Sequence, residues 1–148
     1  MVHALEEIHR LLKPAGTLID IHPVAESSPI EIYQGGKIEL VGNLTVRQWC
    51  TDFQQADSAL AEVAQRGLFA VERADIFDSP IYYDSVEEMR TSLKEAIDYF
   101  DRGAESTTEE EQQVDILAAR AEELMQDAVS GAGLIAHEPT HISRLKPT

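Results

Sequence analysis

The stretch Ala4 to His22, ALEEIHRLLKPAGTLIDIH, constrains the fold more than any other. Val2, Leu5, Ile8 and Leu11/Leu12 recur at helical spacing, and Glu6 and Glu7 stand in the early turns, where the helix dipole favours negative charge. Pro14 and Gly16 break the helix, and Thr17 to Ile21 is a mostly apolar, β-branched run of the kind found in buried strands. The stretch therefore reads as a helix over roughly 3–13, a tight turn and a strand over 17–22.

At 148 residues the chain has the length of one ordinary domain. A chain of that size buries about 68–70% of its unfolded surface, so one core is expected. Hydrophobic residues at 43% and charged residues at 26% fit a globular protein rather than a disordered one. The net charge of −15 argues against a nucleic-acid partner, which requires clustered Lys and Arg to displace phosphate counterions. The single cysteine, Cys50, excludes an intramolecular disulfide framework and a cysteine-based zinc site, and fits a reducing compartment. With no apolar h-region and no run near the ~18 residues of a membrane span, the chain is expected to be cytoplasmic and off the membrane.

Pro23 to Pro29 is loop by composition. Ile30–Tyr33 and Lys37–Val41 alternate on either side of Gly35-Gly36, which supplies the positive φ angles of a two-residue turn. This is a hairpin over about 30–41, with Ile30, Ile32, Ile38 and Leu40 as its expected apolar face. Trp49 is expected to be a core or interface anchor. Thr51 or Asp52 can cap a helix striped by Phe53, Ala56, Leu60, Val63 and Ala64 and ended by Gly67. Leu68–Arg73 and Pro80–Tyr83 are extended. Ser85 and Glu88 form a capping box for a helix carrying Met89, Leu93 and Ile97. Gly103–Thr108 is a polar break. Thr107 or Thr108 with Glu110 or Glu111 repeats the capping signature, and Val114, Leu117, Ala121, Leu124 and Ala128 stripe a last helix that ends near Gly131. Leu134 to Leu145 is expected to be one final strand.

The helix, LLKPAG turn and strand at 4–22 resemble the segment that leads into the fifth sheet strand of class I S-adenosylmethionine-dependent methyltransferases, with Ala15 in place of the commoner Gly. RGLFAVERADIF at Arg66–Phe77 is similar to that family's sixth strand, and HISRLKP at His141–Pro147 to its seventh. The resemblance implies a partial Rossmann-like α/β fold. It would be a single domain over 1–148, with a small mixed sheet of about three core strands, about four helices and the added hairpin. The last strand would lie antiparallel between the other two. In the family, the glycine-rich cofactor loop and the acidic ribose ligand come before this segment, and only Met1-Val2-His3 precede it here. No position matches those residues, so the resemblance implies no S-adenosylmethionine site in this chain by itself.

Several side-chain groupings bear on chemistry. His137-Glu138-Pro139-Thr140-His141 spells H-E-x-x-H, whose zinc chemistry needs both histidines on one face of one helix. Pro139 opposes that helix, and in a strand the two histidines lie ~13 Å apart at ~3.3 Å per residue. His22 stands at the C-terminal end of the first strand, where open α/β sheets bind ligands. With Asp20 and Glu26 nearby it is the one acid/base candidate, against the blander reading of a polar strand end, and no Ser or Cys nucleophile pairs with it in sequence. Tyr82-Tyr83 reads as core packing, Glu109-Glu110-Glu111 as a solvated helix start and Gly131-Ala132-Gly133 as a helix cap rather than a nucleotide loop.

Two functions follow as expectations. The first is a non-catalytic module that self-associates, its homodimer joined through the first helix and the strand edge Thr17, Leu18, Ile19, Asp20 and Ile21. The second is the substrate-covering half of a methyltransferase, completed by a cofactor-domain partner or by further N-terminal sequence, with S-adenosylmethionine bound only once completed.

Overall fold

The computed structural model describes residues 1–100, 108–126 and 131–148. The break at Gly103, the Thr107 cap and Ala128 lie outside the described residues. In chain order the elements are α1 (Val2–Leu11), β1 (Leu18–Pro23), β2 (Ser28–Gln34), β3 (Lys37–Leu44), α2 (Arg47–Gln65), β4 (Phe69–Asp78), β5 (Ile81–Tyr83), α3 (Val86–Phe100), α4 (Thr108–Met125), β6 (Gly133–Ala136) and β7 (Pro139–Pro147). The fold is mixed α/β with two sheets, ordered β1-β7-β4 and β3-β2-β6-β5, and every paired neighbour is antiparallel. The hairpin thus belongs to the second sheet, together with β6 and β5, and does not extend the first. In place of the one core expected there are two buried clusters. The backbone gathers into two compact units, residues 1–25, 50–78 and 139–148 in one and 26–49 and 79–138 in the other.

In the first unit, α1 stops at Leu11, ahead of Pro14, because a residue preceding proline is pushed out of helical geometry. The turn closes with the Gly16 N–H donating to the Lys13 carbonyl at 2.7 Å. A Cβ on Gly16 would stand 2.8 Å from that same carbonyl, so glycine is required here. β7 pairs Leu18↔Leu145, Asp20↔Ser143 and His22↔His141 on one side, and Val71↔Leu145 and Ala74↔Ser143 on the other. β1 and β4 therefore run in the same direction with β7 between them, where the final strand is expected. Gly67, at φ +69°, ends α2 as expected, with the Leu68 N–H on the Val63 carbonyl and the Gly67 N–H on that of Ala64, both at 3.0 Å. Leu5 of α1 and Ala59, Leu60 and Val63 of α2 bury one sheet face against Phe69 and Leu145.

In the second unit, Gly35 (φ +55°) and Gly36 (φ +81°) make the expected two-residue turn. Its register pairs Tyr33 with Ile38 and, after a bulge, Ile30 with Gly42. Ile30 and Ile32 are buried, but Ile38 and Leu40 are exposed, and the β3 residues that enter the core are Val41 and Leu44. Alternation within each strand does not say which set faces which; the turn and the bulge decide it. Met89, Leu93 and Ile97 of α3 and Val114, Leu117 and Ala121 of α4 cover that sheet, with Trp49 partly buried against them as an anchor. The Ser85 box forms: the Glu88 N–H donates to Ser85 Oγ at 3.1 Å, and the Glu88 carboxylate accepts the Asp84 N–H at 2.7 Å.

Two further expectations are corrected. α2 begins at Arg47, a turn before Thr51, because the buried Glu110 carboxylate accepts the Arg47 N–H at 2.8 Å and caps the helix from a distant position. Glu110 is therefore a buried cap and not part of a solvated acidic face. The expected final strand over 134–145 is two strands in different sheets, broken at His137-Glu138.

Candidate functional site

Alternation along β1 turns Leu18, Asp20 and His22 to the face that the helices cover and leaves Ile19 and Ile21 on the other. His22, the acid/base candidate, is buried and bonded at both ring nitrogens: Nδ1 lies 2.7 Å from Asp20 Oδ2 and Nε2 lies 3.0 Å from Asp57 Oδ1. The second carboxylate comes from α2, 35 residues away in sequence. Asp57 occupies the polar side of a helix whose inward stripe is Ala56, Leu60 and Val63, and nothing in local sequence separates it from an ordinary surface acid. Glu26, by contrast, falls outside the first unit.

On β7 directly opposite, the His141 ring meets that of His22 edge-on at 5.2 Å. His141 Nδ1 and Ser143 Oγ are buried without a hydrogen-bond partner. Both residues, with Asp57, line a cavity of about 210 Å³ walled by Leu60, Ala64, Val71 and Leu145. The arrangement is an imidazole held between two carboxylates beside a small apolar space with unmet polar atoms. It can hold a cation, move a proton or orient a small polar ligand. Sequence reasoning finds His22 but misses Asp57, Ser143 and the role of His141. The legible signal is the Asp20/His22 pair at strand spacing, which puts both side chains on one face.

The H-E-x-x-H residues are not helical. His137 Nε2 is 3.1 Å from Glu31 Oε2, and His141 belongs to β7. Burial pushes the Glu138 carboxyl above the usual carboxylate range. A raised carboxyl pKa means that the folded chain holds this proton more tightly than the unfolded one. The associated stability is present below the ordinary glutamate value and is lost as pH rises through the raised folded value. Glu138→Gln is expected to remove that slope and to stabilise the protein slightly at neutral pH, which urea unfolding at acidic and neutral pH would measure.

Tyr83 is buried in the second unit's core, its hydroxyl pushed up by burial, and the exposed Tyr82 ring meets Tyr33 edge-on at 6.3 Å.

The edge expected to associate starts at Leu18 rather than Thr17, and β1 pairs only with β7 among the described residues. The uncovered face carries Ile19 (50% exposed), Ile21 (59%) and Phe77 (44%), with Ile142 beside them. Arg73, Asp75 and Arg144 ring a shallow depression of about 330 Å³ with Ile19 and Ile142.

Among the described residues no helix is long and apolar enough to cross a membrane. Compared with models of known protein families and with curated proteins, the sequence matches none.

Proposed function

We propose that this chain is a methyltransferase-like association module, joined to a second copy of itself through the free edge of β1 and the apolar sheet face beside it. The observation that supports this reading is the half-exposed pair Ile19 and Ile21 on an edge strand whose opposite face packs under the helices. An unpaired edge with an apolar flank is a template for strand pairing, and a two-fold axis makes one such patch complementary to itself. Sedimentation equilibrium tests it. The chain is expected to be dimeric at micromolar concentration, and the double variant Ile19→Glu, Ile21→Glu to be monomeric with an unchanged circular dichroism spectrum. A wild-type chain that stays monomeric at the highest soluble concentration, or a variant that stays dimeric, defeats the reading.

A second reading is favoured by the strand order β1-β7-β4, the order that the methyltransferase resemblance implies for its last three strands. Here the chain is the substrate-covering half, and a cofactor domain occupies the β1 edge. S-adenosylmethionine then belongs to that domain. Calorimetric titration of the isolated chain with S-adenosylhomocysteine is expected to give no saturable heat, and saturable heat would refute the absence of a cofactor site on which both readings stand.

A further inference from the structure

Asp20, His22 and His141 each offer one ligand atom, and the three atoms lie within 4.8 Å of one another. They come from adjacent strands: His22 and His141 are a directly opposed pair, and Asp20 is two residues along β1 on the same face. The hydrogen bonding fixes more than proximity. If His22 Nε2–H donates to Asp57 at 3.0 Å, the Nδ1 lone pair points at Asp20 Oδ2 across 2.7 Å. Nδ1 and the Asp20 carboxylate then face the same small space as two lone-pair donors available to one cation. His141 Nδ1, on the neighbouring strand, is buried and has no partner of its own.

We propose that Asp20, His22 and His141 bind one divalent transition-metal ion of the zinc class, and that Asp57 is the positioning residue that fixes the His22 ring. Two imidazoles and one carboxylate are the donor set of borderline metals, whereas calcium and magnesium take oxygen ligands. A carboxylate on the far nitrogen of a metal-bound histidine sets its tautomer and raises its basicity, which is the position Asp57 holds. Ligand arms of about 2.1 Å put tetrahedral ligands roughly 3.4 Å apart, so side-chain rotation opens the His22–Asp20 pair from 2.7 Å and draws in the wider-spaced ligand atom from up to 4.8 Å as the ion enters. The fourth position is left for water or a ligand, and His141 and Asp57 both line the apolar cavity that would receive it.

The test is titration of the metal-free chain with Co²⁺, followed by Zn²⁺ competition. One equivalent is expected to bind with the visible absorption of a low-coordinate, nitrogen-ligated ion and to be displaced by Zn²⁺. His22→Ala and His141→Ala should each abolish the band, and Asp57→Asn should weaken binding about 10–100-fold without abolishing it. Binding that is absent, or indifferent to both histidines, overturns the proposal; the second result would mark adventitious binding to a chain of net charge −15. Imidazole nitrogen NMR of the wild type avoids dependence on variant folding. One equivalent of Zn²⁺ should move the His22 and His141 ring signals, and if neither moves, the proposal fails. Because Ile19 and Ile21 lie on the other sheet face, the double glutamate variant should titrate like the wild type, which separates this proposal from the association reading.

Discussion

Phe69→Ala is expected to lower the unfolding free energy by about 3–5 kcal/mol, the range for removing a buried aromatic ring and leaving a cavity. Phe69 is 2% exposed and joins the helix-covered sheet face to Leu5 of α1 and to Leu60 and Val63 of α2. It also carries an edge contact with the His9 ring at 5.3 Å. The cluster is small, with Leu5, Ala59, Leu60, Val63 and Leu145 as its other buried members, so it has few side chains to refill the space. Urea unfolding followed by far-ultraviolet circular dichroism measures the loss. Phe69→Leu, which keeps most of the volume, is expected to cost less; equal costs for the two variants would count against a cavity as the cause.

The second large effect is expected at Leu134, in the other unit. Leu134 is fully buried on β6, with Ile32 of β2 opposite it on one side and Tyr83 of β5 on the other. Leu134→Ala is expected to cost about 2–5 kcal/mol, since three strands and two helices share the space it fills. Trp49, the chain's one tryptophan, packs against this cluster and not the other. Its emission therefore reports directly on the damage. An unfolding midpoint by Trp49 emission that does not fall in Leu134→Ala would show that this core does not depend on β6.

Much of this fold is legible wherever a local rule decides a local structure. Gly35-Gly36 states its turn, Gly67 its helix end and Ser85 with Glu88 its helix start, and each of these forms. The illegible parts are those that a distant residue decides. The start of α2 depends on Glu110, and the facing of Ile38 and Leu40 on a bulge that forms only against β2. The division of the last strand depends on two sheets competing for it, with only the His137–Pro139 stretch to mark the change. The candidate site divides the same way. Asp20 and His22 announce themselves by strand spacing, while Asp57 and Ser143 acquire meaning only once α2 and β7 are laid over β1.

The position of β7 bears on how the protein is made. Among the described residues β1 and β4 do not pair with each other; each pairs only with β7, and β7 follows both in the chain. During translation the ribosome therefore emits two strands that have nothing to join until the third appears. For that interval the apolar residues of β1 and β4 are exposed together, at the stage when nascent chains aggregate most readily and chaperones bind them. Completion of this sheet is a late event by construction, and a message truncated before β7 would yield a product with no three-stranded sheet to fold.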